Sequence, residues 1–291
     1  MDSKSKSTNE FLIKSEKADY ISFFFNKHEF KLIKVNNDCG LNNTDYIEFT
    51  DKEVLEQGFL EALEKNCNLS NVSNIHFRLI PLIKDHENRI KSINFLTQNN
   101  FKNKKNYSLF INLDKSKEIL KKNIRKSYKS LINKEKKKNK ILFLTQNNFN
   151  KKNYEEWINL YNSALSRGGK ELDDEAIKIK ENAIKNRELL LSLAYQNQKL
   201  LGGMAFNLNK YYCSYSAAAN NTEIEKDKSR SVGHFLLWES IINLKETGVK
   251  FLDLGSYDEN NLNDEKFNNI IKFKKGFGPK ELLTNYFSKI L

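Results

Sequence analysis

The chain has 291 residues, 39% of them hydrophobic and 12% aromatic, and carries a formal net charge of +12. That length suits one large domain or two smaller ones, and that apolar content excludes a wholly disordered chain. No apolar run approaches the ~20 residues needed to span a bilayer.

The polar start, Met1–Glu10, lacks the apolar region of a signal peptide, so a cytoplasmic protein is expected. Cys39, Cys67 and Cys213 lie far apart with no CxxC pair, and His28, His76, His86 and His234 show no metal-ligand spacing. Neither a disulfide framework nor a metal site is expected.

Residues 1–15 read as a flexible tail. From 16 to 113 the pattern is mixed. Tyr20–Phe25, Glu29–Val35, Tyr46–Phe49, Ile75–Ile83 and Tyr107–Leu113 are rich in β-branched and aromatic residues and read as strands. Lys52–Lys65 reads as a helix with Val54, Leu55, Phe59 and Leu63 on one face. Residues 115–138 read as one amphipathic helix: Leu120, Ile124, Tyr128, Leu131 and Ile132 form the apolar stripe, and Lys122, Arg125, Lys126 and Lys129 the other faces. Residues 115–140 hold twelve Lys or Arg against Glu118 and Glu135. A surplus so concentrated steers anions as scattered lysines do not.

Beyond 140 the order is clearer. Ile141–Thr145 is strand-like, and Asn153–Ser166 and Asp173–Asn186 are helical, with Arg167-Gly-Gly169 between them. Glu188–Tyr195, Leu200–Asn207 and Tyr211–Ala217 read as a meander turned first at Asn197-Gln198. Ser231–Thr247 is a helix with Ser231 as N-cap and Gly248 just past its end. Val249–Leu254 is a strand closed by Asp253-Leu-Gly255 and followed by an open polar loop. Glu265–Lys275 is a helix and Leu282–Ile290 a last strand. The heptapeptide Phe95-Leu-Thr-Gln-Asn-Asn-Phe101 recurs as Phe143–Phe149. Each copy would close a strand in a duplicated unit, but the flanks do not match and the chain is rich in Asn, so chance is the simpler account.

The order β-α-α-β-β-β-α-β-α-β is that of the GNAT acyltransferase fold, and several segments resemble the FemAB-type transferases. Tyr107–Asp114 followed by Asn123-Ile-Arg-Lys-Ser-Tyr-Lys129 is similar to their strand, acidic turn and N-x-R-x-x-I-R-K-A-like helix. His234–Ile242 with Phe251-Leu-Asp-Leu-Gly255 resembles their penultimate helix and strand. Ile271-Lys-Phe-Lys-Lys-Gly-Phe-Gly278 resembles their terminal F-K-x-x-F-G motif. The resemblance covers residues 105–291 well and 16–104 by analogy. It implies an α+β fold of two GNAT-like subdomains: a partial one over 16–139 that ends in the basic helix, and a complete one over 140–291. It also implies transfer of an acyl or aminoacyl group onto an amine of a peptidoglycan peptide or surface-polysaccharide sugar. The co-substrate would be aminoacyl-tRNA or acyl-CoA, with no permanently bound cofactor.

Acyl transfer to an amine needs a donor carbonyl held beside the amine, a group to stabilise the oxyanion, and a route for one proton. The resemblance places Phe273 and Lys274 at the donor, Lys274 stabilising negative charge. The plainer reading is a core Phe and a solvated Lys. Asp253 would orient a ligand or accept a proton, or merely cap a turn. Tyr215 would protonate a leaving group or simply pack. Arg230-Ser-Val-Gly-His234 partly matches the pyrophosphate loop R/Q-x-x-G-x-G/A at a helix start, which makes Arg230, Gly233 and His234 donor-binding candidates. Phe235 stands where that pattern wants Gly or Ala, which disfavours CoA. Arg167, Gly255 and Trp238 are expected near the substrate. Arg125 and Lys129 would hold phosphates of a nucleotide-linked acceptor or of tRNA, arginine being the better fork. The basic helix also suits peripheral contact with a membrane surface.

The other class of function is a basic protein that grips nucleic acid without catalysis. No helix-turn-helix, RNP or zinc motif supports it. DNA is not an expected partner.

Overall fold

Local pattern sets the elements, and a computed structural model describes them over residues 18–25, 28–35, 38–41, 57–69, 72–79, 86–208, 212–221, 231–259 and 263–291. The chain divides into two compact units, residues 1–107 with 282–291, and residues 108–281.

In the first unit, β1 (Ala18–Phe25) and β2 (His28–Val35) form an antiparallel hairpin. β2 pairs antiparallel with β3 (Asp38–Leu41), and β3 pairs parallel with β4 (Asn74–Leu79). α1 (Gln57–Leu69) buries Phe59, Leu60, Leu63 and Cys67, a three-to-four-residue spacing that gives it one apolar face. These residues pack with Ile75, Leu96, Phe101 and Phe287 into one core. Leu96 comes from α2 (His86–Gln98), a helix the sequence reading did not anticipate. The strand expected at 46–49 lies outside the described residues.

β5 (Lys102–Asn112) runs across the division between the units. In the second unit, α3 (Lys117–Asn123) and α4 (Lys126–Lys136) replace the expected single basic helix. The break falls at Ile124 and Arg125, both extended, where the Arg125 N–H donates to Gly276 O at 2.8 Å. A tertiary hydrogen bond has outbid helix continuity. Then come β6 (Lys140–Leu144), α5 (Lys151–Ser166), α6 (Asp174–Lys185), β7 (Leu189–Gln196), β8 (Lys199–Leu208) and β9 (Tyr212–Asn220). α7 (Val232–Glu246), β10 (Phe251–Tyr257), α8 (Glu265–Lys275) and β11 (Lys280–Ile290) complete the chain. Within this unit the strand order is β5-β10-β9-β8-β7-β6. Pairing is antiparallel from β6 to β9 and parallel between β9 and β10. α5 supplies Tyr154, Trp157, Ile158 and Tyr161 to the core beneath β7, β8 and β9.

Two further expectations are corrected. The units divide at 107/108 and 281/282 instead of 139/140. The basic segment therefore belongs to the second unit, where α4 packs on α7, and nearly all of β11 belongs to the first, where it pairs antiparallel with β4. β10 does not end at Gly255 but runs on to Tyr257. The two heptapeptide copies have different structures: Phe95–Gln98 ends α2, whereas Phe143-Leu144 ends β6 and Gln146–Asn148 is a 3-10 turn. That difference removes the case for a duplication. Among the described residues no helix is long and apolar enough to cross a membrane.

Candidate active site

β9 and β10 pair only at Tyr212–Phe251, Cys213–Leu252 and Ser214–Asp253. Past Ser214 and Asp253 the ladder stops although both strands continue. On its other edge β9 carries a bulge: Tyr215 faces Phe206 and Ala217 faces Ala205, so Ser216 is the extra residue. A bulge bends its strand and re-aims the side chains beside it. The result is a parting of two central strands, lined by Tyr215 and Ser216 on one side and Leu254 and Gly255 on the other.

Lys274, in the last turn of α8, reaches this parting. Its Nζ lies 4.7 Å from the centre of the Tyr215 ring. A Cβ added to Gly255 would sit 3.2 Å from that Nζ, and Gly255 has φ +103. The backbone conformation therefore calls for glycine there, and a side chain would press on the Lys274 ammonium. Burial, with a smaller contribution from Tyr161, pushes the Tyr215 phenol well above its ordinary range, so it stays protonated at neutral pH. Tyr215 makes no hydrogen bond among the described residues, and its ring meets Phe206 edge-on at 5.8 Å.

Asp253 is fully buried. Its Oδ1 accepts the Gly255 N–H at 2.7 Å and its Oδ2 the Tyr212 hydroxyl at 2.8 Å. The carboxylate therefore ties the Gly255 backbone to the end of the paired region.

Phe273 is half-buried and meets the His234 ring at 5.0 Å and Phe277 at 5.4 Å, both nearly perpendicular. Tyr128 from α4 closes the group, with its ring 4.2 Å from His234. Burial lowers the His234 pKa to about 4, so the imidazole is neutral. His234 is thus part of an aromatic cluster that seats α8 against α7 and α4. Gly233 beside it has room for a Cβ, whose nearest neighbour would be Met204 at 3.8 Å.

The start of α7 differs from an open phosphate-binding turn. The Ser231 side chain makes no capping bond; instead its backbone N–H donates to Glu135 Oε1 at 3.1 Å. Glu135 is fully buried, and its Oε2 accepts from Asn139 at 2.6 Å. A carboxylate already complements the positive end of this helix. Phe235 is 2% exposed and faces the core. Arg230 lies outside the described residues.

The remaining candidates lie on other elements. Arg125 is exposed at the α3–α4 break, its guanidinium 5.2 Å from the centre of the Tyr128 ring. Lys129 and Trp238 line a groove of about 240 Å³ with Lys117, Lys121, Ile132 and Lys136. Lys129 donates to Lys122 O at 3.2 Å, and Lys136 pairs with Glu239 at 2.8 Å. Arg167 is exposed at the C-terminal cap of α5. The structure thus brings Lys274, Tyr215, Gly255 and Asp253 together, gathers Phe273 and His234 beside them, and puts Lys129 and Trp238 in a separate basic groove. Sequence reasoning missed Glu135 and Lys180. Glu135 stands out only as one of two acids in the basic segment, and Lys180 only as the one charge on an apolar stripe.

No family model matches the sequence, and no curated protein matches it. Solved structures do. FemX superposes with a TM-score of 0.70 at 13% identity, covering 97% of this chain and 95% of that one. The C-terminal domain of a lysylphosphatidylglycerol synthetase from Agrobacterium fabrum gives 0.63 at 9% identity, over 97% and 87%. A tandem GNAT protein from the clavulanic acid biosynthesis pathway gives 0.51 at 8% identity, over 90% and 78%. With the parted strands, the β9 bulge and this likeness over nearly its whole length, the chain has the FemAB-like GNAT fold.

Proposed function

We propose that the protein is an acyltransferase that moves an aminoacyl group from tRNA onto an amine of a cell-envelope precursor, in the parting between β9 and β10. The observation that carries this reading is the Lys274 ammonium held over Tyr215 and Gly255, where the strands leave their ladder. The amine nitrogen attacks the donor carbonyl and forms the new C–N bond. Negative charge on the carbonyl oxygen is met by Lys274, a preorganised cation in a partly dry site. The C–O bond to the ribose then breaks, and the oxygen takes a proton. The Tyr215 phenol, kept protonated by burial, supplies it and regains it from the attacking amine. Asp253 acts by positioning: its hydrogen bonds to Gly255 and Tyr212 fix the two strand ends.

The choice of tRNA over CoA is supported by the start of α7. A CoA pyrophosphate there would meet the Glu135 carboxylate, which already accepts the Ser231 N–H. The acceptor is a peptidoglycan peptide or a surface-polysaccharide sugar. The FemX and lysylphosphatidylglycerol synthetase neighbours support an envelope acceptor in kind.

The test is to incubate the protein with radiolabelled aminoacyl-tRNA, or with labelled acetyl-CoA, and nucleotide-linked envelope precursors. Label should pass from the tRNA. Lys274→Ala should slow transfer by roughly 100-fold or more, the usual cost of one lost oxyanion-stabilising group. Equal transfer from acetyl-CoA refutes the donor, and undiminished turnover in Lys274→Ala refutes the site.

A further inference from the structure

The buried stripe of α6 is Ala176, Lys180 and Ile184, three positions four residues apart. Lys180 is 7% exposed in the middle of it. Among the described residues it has no carboxylate partner and no hydrogen bond; its one contact of note is the Tyr161 ring, 5.9 Å from Nζ. Burial lowers its pKa to about 8. A buried ammonium without a counter-ion is destabilising, and a Met of similar length would fill the space without that penalty.

The surroundings share one property. Tyr161 is buried, stacks on Trp157 at 5.1 Å, and makes no hydrogen bond among the described residues. Trp157 is fully buried and its Nε1 has no acceptor. Tyr161 is near enough to Tyr215, which lies under Lys274, to add to the upward push that burial gives the Tyr215 phenol. Around Tyr161 the polar groups are thus the Lys180 ammonium, the Trp157 indole N–H and the phenol itself. Among the described residues neither the ammonium nor the indole N–H has an acceptor.

We propose that Lys180 and Tyr161 form a subsite for an oxyanion, a carboxylate or a phosphate, belonging to a substrate of the transferase site. An anion bound there supplies the missing counter-charge, takes the unused donors, and places its bearer one tyrosine away from Tyr215. The assignment to a substrate rests on the transferase reading; the subsite itself does not.

The experiment uses the full chain without substrates. Thermal unfolding is followed against inorganic phosphate in one series and acetate in the other, at constant ionic strength, for wild type, Lys180→Met and Lys180→Arg. A bound anion stabilises the native state by mass action. At least one anion should raise the wild-type Tm saturably. Lys180→Met should fold at least as stably as wild type and bind that anion roughly tenfold or more weakly, whereas Lys180→Arg should keep the response. The anion that saturates lower identifies the substrate group as phosphate or carboxylate. No saturable shift with either anion, or an equal shift in Lys180→Met, overturns the subsite; the second result assigns binding to the exposed lysines. If the subsite holds but no label leaves aminoacyl-tRNA, the transferase reading fails alone.

Discussion

His234 shows how far one side chain's role depends on what folds around it. In sequence it closes a phosphate-loop pattern; in the structure Tyr128, Phe273 and Phe277 enclose it. A base whose pKa falls from 6.5 to about 4 on folding is favoured neutral in the native state, while the unfolded chain still takes up the proton. The stability it allows is therefore complete above about pH 6.5 and is lost as pH falls toward 4. The loss is at most about 1.4 kcal/mol per pH unit, and less in practice because the ring is only half-buried. His234→Phe should flatten this part of the curve and leave stability near pH 8 within about 1 kcal/mol, a swap that keeps an aromatic ring in place. Urea midpoints at pH 8, 6.5 and 5 measure it. An unchanged slope in the variant would place the acid-labile group elsewhere.

At the scale of elements, the terminal motif matters most for how α8 meets α4. A methyl at Gly276 would overlap the Tyr128 ring, and one at Gly278 would lie 2.6 Å from Asn123 O. These glycines admit protein, not ligand, contrary to what a Gly-rich turn near a site suggests in sequence. Gly276→Ala should cost about 1–3 kcal/mol by overpacking. Part of that should return when Tyr128 is replaced by Leu, giving a non-additive double-mutant cycle. Additive losses would mean that the two residues do not meet. The same comparison explains what was legible beforehand. α5, α6, α7 and α8 were read to within about two residues because their apolar spacing and caps are local: Asp173 caps α6 through Ala176 N–H and Asp264 caps α8 through Phe267 N–H. The break at Arg125 was not legible, because a carbonyl 151 residues away makes it, at Gly276. Nor was the meeting of Lys274 with Tyr215: the motif named the lysine, but only the β9 bulge and the short β9–β10 ladder bring it to the phenol.

Over the whole molecule, the charge of +12 is compatible with mere bias toward lysine, so its placement has to decide whether it recognises anything. α3 and α4 gather Lys117, Lys121, Lys129 and Lys136 around a groove floored by Ile132 and Trp238. A concave cluster of one sign focuses potential more than the same charges spread over a convex face. If the donor is tRNA, phosphates should sit there, and binding should weaken linearly in log–log plots against salt. Each phosphate contact contributes roughly 0.7–0.9 to that slope. Lys121→Ala with Lys129→Ala should lower the slope by roughly 1–2 and weaken tRNA binding, while turnover at saturating tRNA stays near wild type because Lys274 and Tyr215 are untouched. The control is an equal loss of charge on the same unit: exposed Lys170 and Lys178, neither in the groove, changed together to Ala. Filter binding across a salt series separates the cases. A groove that recognises phosphate gives a larger slope change for the Lys121/Lys129 pair than for the control. Equal changes mean that tRNA responds to overall charge alone, and the groove then has no part in holding the donor.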